Sequence, residues 1–228
     1  MPGALFASLN GIPIVKLALV LPWAGIWHAD IQLDRAIGPT TAPQILTLGQ
    51  DLTGVCAALR AVDFTGARSL RVVGGTGGWR TTVPPLQYQS PTGVPVALVA
   101  SDAAALVQEV PPIIGPTVSP VAGPTFVRQG GAASLVLQSL FADGWWMNMQ
   151  GVVQVTPRLP TPIVAPFDLL DVRGAPGIWK VASVGDILTP WVPGALFLAP
   201  TMTSPATVNR VTHVLEGGVL RTEVLTWP

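Results

Sequence analysis

Polar and apolar residues alternate along much of this chain with a period of two, the repeat of a strand that buries one face. Residues 26–33 show it most clearly, with Ala29, Ile31 and Leu33 set between His28, Asp30 and Gln32. Residues 12–21 are rich in aliphatic and β-branched side chains, and Pro22 to Gly25 supplies a turn, so 8–33 reads as a hairpin. Further short strands are expected over 44–48, 54–63 and 69–73. A flexible glycine loop over 74–78 and a strand over 79–88 would then complete a first barrel or sandwich.

The middle of the chain changes character. Ser101 and Asp102 precede an alanine-rich run, which predicts a short helix over 103–109 with Asp102 near its N-terminus. Residues 111–124 form a proline-rich connector, extended and facing solvent or laid along a neighbour. Over 132–143, Leu135, Leu137, Leu140 and Phe141 give an amphipathic helix that Gly144 ends. Strand character returns over 145–155, 167–172, 178–184, 194–198, 208–216 and 219–227, and Gly217-Gly218 between the last two suits a tight hairpin turn. The fold class expected is therefore mainly β with a small α insert. It comprises an N-terminal β-barrel over 1–90, an α-containing insert and connector over 91–144, and a C-terminal β-barrel over 145–228. No period of 20 to 50 residues recurs.

Composition adds a constraint that the pattern alone does not. Charged residues are 11% of the 228, against roughly a quarter in an ordinary soluble domain, while apolar types reach 49% and mean hydropathy is +0.52. A membrane does not explain the deficit. The uncharged runs 81–101 and 110–127 are interrupted by Pro84, Pro85, Pro91 and Pro95, and by Pro111, Pro112, Pro116, Pro120 and Pro124, so neither forms a spanning helix. Lys16 follows the first apolar residues instead of preceding them, which is the wrong order for a signal peptide, and synthesis in the cytoplasm is expected. A single cysteine, Cys56, cannot make an internal disulfide and agrees with a reducing compartment. What remains is association with other protein: a surface short of Lys and Glu but supplied with Trp, Pro and Leu resembles an interface. Twelve basic and twelve acidic side chains cancel without any run of one sign, so no nucleic-acid grip is expected.

Chemistry is hard to place in this sequence. The run Gly74-Gly75-Thr76-Gly77-Gly78 lacks the Lys-Ser/Thr of a phosphate loop and precedes strand-like residues. Cys56 with His28 or His213 has no third polar group to orient an imidazole, and these three residues make no zinc pattern. Among the candidate carboxylates Asp102, Asp143, Asp168, Asp171 and Asp186, Asp102 and Asp143 fit helix ends, and Asp168 and Asp171, at odd spacing, are expected on opposite faces of a strand, so none supports a glycosidase or peptidase. No catalytic, metal or cofactor residue is assigned, and the chain reads as no enzyme. The eight tryptophans stand out, and Trp145, Trp146, Trp179 and Trp191 are the candidate interface residues; a carbohydrate-binding face is the alternative use.

Several short segments carry a resemblance. Residues 8–15 (SLNGIPIV), 25–33 (GIWHADIQL), 64–66 (FTG) and 71–75 (RVVGG) look like the opening barrel of tail hub proteins of phages and phage-derived particles. Residues 88–95 (YQSPTGVP) before the alanine-rich helix fit as well. The ending, 208–215 (VNRVTHVL) with 220–224 (LRTEV), is similar to the closing hairpin of baseplate hubs and of type VI secretion valine-glycine repeat proteins. The resemblance implies two barrels per chain and a homotrimer that sets six similar barrels in a ring at the tail tip of a virion. Its implied partners are a tail tube or distal tail protein, a spike or fibre protein and the tape measure protein, with DNA only in transit and no membrane span. A receptor- or carbohydrate-binding tail module and a distal tail adaptor are the alternative functions.

Overall fold

The computed structural model describes residues 6–35, 43–64, 67–173 and 177–227. The chain builds β1 (Ala7–Leu9), β2 (Ile12–Leu21), β3 (His28–Leu33), β4 (Gln44–Leu48), β5 (Leu52–Phe64) and β6 (Ala67–Gly74) in its first third. These six pair antiparallel in the order β1-β4-β5-β6-β3-β2, and β1 also pairs with β2, which closes them into a six-stranded barrel. Closure removes edges that an open sheet would leave unpaired. The alternation seen in the sequence sets the core: Ala29, Ile31 and Leu33 of β3 point inward with Leu17, Leu19 and Leu21 of β2 and Leu70 and Val72 of β6, all buried. Asn10 and Gly11, both with positive φ, make the two-residue turn between β1 and β2.

The expected strand over 79–88 is a different structure. Residues 78–80 form a single 3-10 turn, and β7 (Thr82–Val83) and β8 (Leu86–Gln89) pair with strands further along the chain instead of with the barrel. Helix α1 spans Val96–Leu106, starting directly after Pro95, so Asp102 lies inside it and not at its N-terminus. After it come β9 (Ile113–Ile114), β10 (Thr125–Arg128), β11 (Gly131–Ala132), α2 (Ser134–Phe141), β12 (Trp146–Met147) and β13 (Val153–Val155). β10 pairs with β8 and β11 with β7, while β13 holds β12 on one side and, in parallel, β9 of the proline-rich connector on the other. Arg128 ties this insert together: buried to 2% exposure, it donates to Pro84 O, to the Tyr88 hydroxyl and, at 2.6 Å, to Asp102 of α1. Burial and then the hydrogen bond to Asp102 push the Tyr88 phenol up to about 12.

The last third returns to β structure with β14 (Phe167–Arg173), β15 (Ile178–Ser183), β16 (Leu196–Phe197), β17 (Ala206–Glu216) and β18 (Val219–Thr226). Gly217 and Gly218, both with positive φ, turn β17 into β18 as the sequence predicts. The order is β17-β18-β15-β14, and β17 also pairs along five residues with β2 of the barrel. Both ends of the chain thus share one sheet. The core of this part is aromatic: Phe197 packs against Phe167, Trp179 and Trp191 with centroids 5.5 to 6.1 Å apart.

The glycine loop is packed, not free. The Gly78 amide donates 2.7 Å to buried Glu109, and a Cβ at Gly78 would stand 2.1 Å from Val107 O.

Candidate assembly surface

Eight consecutive strands of the shared sheet, β5-β6-β3-β2-β17-β18-β15-β14, run antiparallel without interruption. Their inner side chains are core, and their outer side chains make one face on which charged groups stand among aliphatic ones such as Val20, Val214 and Val219. Across that face acid meets base: Arg71 of β6 forms two hydrogen bonds with Asp30 of β3, at 2.7 and 2.6 Å, Lys16 of β2 reaches Glu216 of β17 at 3.0 Å, and Lys180 of β15 reaches Glu223 of β18 at 3.2 Å. The hydrogen bond from Arg71 holds the Asp30 carboxyl below its ordinary range, and Lys16 does the same for Glu216. A trough of about 590 Å³ crosses the barrel side of this face, lined by Lys16, Asp30, Arg60, Arg71 and Glu216 among others.

Bulges decide which residues reach the face. Between Leu169 and Asp171 the register of β14 against β15 shifts by one, so Asp168 lies opposite Ala182 and Asp171 opposite Lys180, two residues apart on β15. Both aspartates therefore share the outer face, where their odd spacing had predicted opposite faces. A matching bulge between Ala58 and Arg60 of β5 puts Arg60 opposite Arg71 and Val62 opposite Ser69, again on the outer face.

Two edges of the run are open among the described residues. β4 pairs with β5 only from Leu52 to Cys56, which leaves 57–64 bonded on one side to β6 alone. At the other end β14 pairs with β15 alone. Leu59 and Val62 on the first edge and Leu170 on the second are 40%, 46% and 50% exposed.

The tryptophans singled out by the sequence do not gather on this surface. Trp145, Trp179 and Trp191 are buried within the chain, the last with its indole N–H 3.3 Å from the Ser183 hydroxyl. Trp146 is half-buried and donates to Thr156 O. Buried rings offer no platform on which a sugar could stack. Beside Trp146 lies a residue that the sequence did not flag, Arg158, whose guanidinium sits 4.1 Å from that ring and donates to the carbonyls of Pro22, Trp23 and Pro193. Burial lowers its pKa to about 10, so it stays a cation at neutral pH and clamps the β2–β3 turn to the last third of the chain. Asp51, in the β4–β5 turn at the same end of the barrel, does the same by accepting the amides of Leu188 and Thr189 and the Thr189 hydroxyl. Burial works to raise the Asp51 pKa, but these hydrogen bonds outweigh it and hold the carboxyl below its usual value.

The groups considered for catalysis are apart. Cys56 faces the core, where burial pushes its thiol up to about 12, and the β5–β6–β3 register puts His28 on the opposite face. His213 is fully buried in β17 with Nδ1 2.9 Å from Thr222 Oγ1. No group of three metal-ligating side chains occurs, and no helix is long and apolar enough to cross a membrane, among the described residues.

Neither a protein-family model nor a curated protein matches the sequence. Solved structures do match the fold. The E. coli c3393 protein, a component of the type VI secretion system with structural similarity to the T4 bacteriophage tail proteins gp27 and gp5, superposes with a TM-score of 0.65 at 11% identity, over 97% of this chain and 77% of that one. A tail protein from Neisseria meningitidis MC58 gives 0.62 at 10% identity, and the 43 kDa tail protein of prophage MuSo2 from Shewanella oneidensis 0.60 at 8%, each over 97% of this chain and 96% of its own. A barrel continued into a second antiparallel set with a small helical insert is therefore the fold this chain shares with phage and prophage tail proteins.

Proposed function

We propose that this chain is a structural hub of a phage-type tail, a ring of three copies at the tail tip that joins the tube to the tip and lines the passage for tape measure and DNA. The observation that carries the reading is the eight-strand antiparallel run, with edges open at both ends among the described residues and ion-paired charges on its outer face. Such a sheet continues from copy to copy, and a wall on which Lys16, Arg71 and Lys180 are each held by a carboxylate grips a polyanion less than free cations would. Apolar side chains left in solvent on the insert, Leu86, Leu98, Leu106, Val110, Val127 and Leu135, support contacts with further tail proteins on other sides. The shared fold agrees with this role, and the placing of Cys56 and His28 on opposite faces of the sheet favours a structural part over a catalyst. Electron microscopy of assembled particles labelled with an antibody to this chain tests it. Label confined to one tail end is expected; label distributed along the tube or on the fibres would overturn it.

A further inference from the structure

We infer that the pocket where the barrel, the insert and the last third of the chain meet is a binding site for a small apolar carboxylate, whose acid group Arg158 holds and whose body lies on an apolar floor. Such a site needs neither the ring nor the tail tip. The pocket has a volume of about 260 Å³ and lies between the β4–β5 turn, the turn from β12 to β13 and residues 189–193. Pockets for cofactors and drug-sized molecules begin at roughly 300 Å³, so the occupant has the size of one amino-acid residue.

Arg158 supplies the preference for an anion. Its Nε donates to Trp23 O at 2.9 Å, Nη1 to Pro193 O at 3.2 Å and Nη2 to Pro22 O at 3.0 Å. A guanidinium carries five N–H groups, so one remains on each terminal nitrogen, the set that a carboxylate takes in a two-point pair. The Trp146 ring, 4.1 Å away, steadies the planar group. A cation drawn out of water is ordinarily matched by an anion. Arg128, buried in the insert, has Asp102 as its counter-ion, whereas Arg158 forms no ion pair among the described residues. The acids near it are engaged elsewhere: Asp51 with Leu188 and Thr189, and Asp143 with the Gln138 side chain.

The floor selects the rest of the molecule. Trp27 is buried and its indole N–H is given to Asn148 O at 3.0 Å, so only its ring is on offer. Met147 and Met149 stand beside it, flexible thioethers that repack around differing shapes. Gly54 makes the room: a Cβ there would come 2.5 Å from the Met149 methyl and 3.2 Å from the Trp27 ring. A sugar or a phosphate, polar all round, would leave groups unpaired against this floor, while an apolar acid satisfies both ends of the pocket. Two sources carry that chemistry, the C-terminal residue of a polypeptide and a free aryl or aliphatic acid.

Calorimetric titration of the full chain with N-acetylphenylalanine, which mimics a polypeptide end, and with 3-phenylpropionate, a free acid, tests the site. Binding of either acid is expected; tighter binding of the first points to polypeptide ends, and tighter or equal binding of the second to free acids. N-acetylphenylalaninamide, which lacks the charge, is expected to bind about tenfold more weakly or worse. Arg158→Lys keeps the charge but loses the fork, and is expected to weaken the acid about tenfold. Because Arg158 also clamps the chain, Thr53→Trp provides a second variant: Thr53 is exposed at the pocket mouth, and the larger ring fills it without touching the clamp. Loss of binding with unchanged thermal unfolding is expected there. No heat of binding for either acid at about 10 mM, equal binding of acid and amide, or undiminished binding in Thr53→Trp or in folded Arg158→Lys would overturn the site.

Discussion

His213 makes the strand that joins the two ends of the chain sensitive to acid. It lies opposite Leu19 of β2 and Thr222 of β18, with no solvent exposure, and desolvation lowers its pKa from 6.5 to about 4. The unfolded chain takes up a proton near pH 6.5 that the folded chain refuses until about pH 4, so the His213 contribution is complete above the first value and is lost as pH falls through this window. Between pH 7.5 and pH 5.0 the loss amounts to about 2 kcal/mol, which for a chain of this size is roughly 4 to 8 °C in Tm. Carboxylates held below their usual range, such as Asp30 and Asp51, remain ionised at pH 5.0 and add their own losses only in stronger acid. His28, also lowered chiefly by burial, adds a smaller term of the same sign. Thermal unfolding at the two pH values, on the chain and on His213→Leu, reads the effect: the unchanged chain is expected to lose most of this stability, and the variant to lose only the His28 part. Equal losses in both proteins, or a flat profile for the unchanged chain, would refute the assignment.

Other consequences follow from single contacts. Arg128→Met strips Asp102 and Tyr88 of their cation and is expected to destabilise the chain by roughly 3 kcal/mol in denaturant unfolding. Gly78→Ala drives a Cβ against the Val107 carbonyl and is expected to cost about 3 kcal/mol, whereas Gly185→Ala, in open space with positive φ, costs roughly 1 kcal/mol. Asp30→Asn combined with Glu216→Gln releases Arg71 and Lys16 on the outer face; gel-shift assays are expected to show duplex DNA retained at low salt and freed as salt rises, while the unchanged chain retains none.

Strand periodicity was legible wherever one face is buried, as in β3 and in the β17–β18 hairpin with its glycine pair, because burial imposes the period-two pattern directly. Bulges were not legible. Nothing in the local sequence of Leu169, Leu170 and Asp171 marks the extra residue, yet it decides which face Asp168 and Asp171 occupy. Helix α1 begins at Val96, more than a turn before the start expected at Asp102, because no side chain caps its true start and only Pro95 precedes it. Long-range partners were invisible for a similar reason: Arg158 meets Pro22 and Trp23 across more than 130 residues, and no spacing rule links them. Composition foretold a greasy exterior without saying which residues form it. The exposed groups are aliphatic, such as Leu59, Leu98, Leu135 and Leu170, with Trp227 at 48%, while Trp145, Trp179 and Trp191 fill the interior.

The proposal that one copy leaves its surface unfinished rests on the shortage of charge and on the sheet edges left open among the described residues. Light scattering on the purified chain after size-exclusion chromatography, at high protein concentration, measures this most directly. A discrete particle of three chain masses is expected, and a single well-behaved chain mass throughout would contradict it.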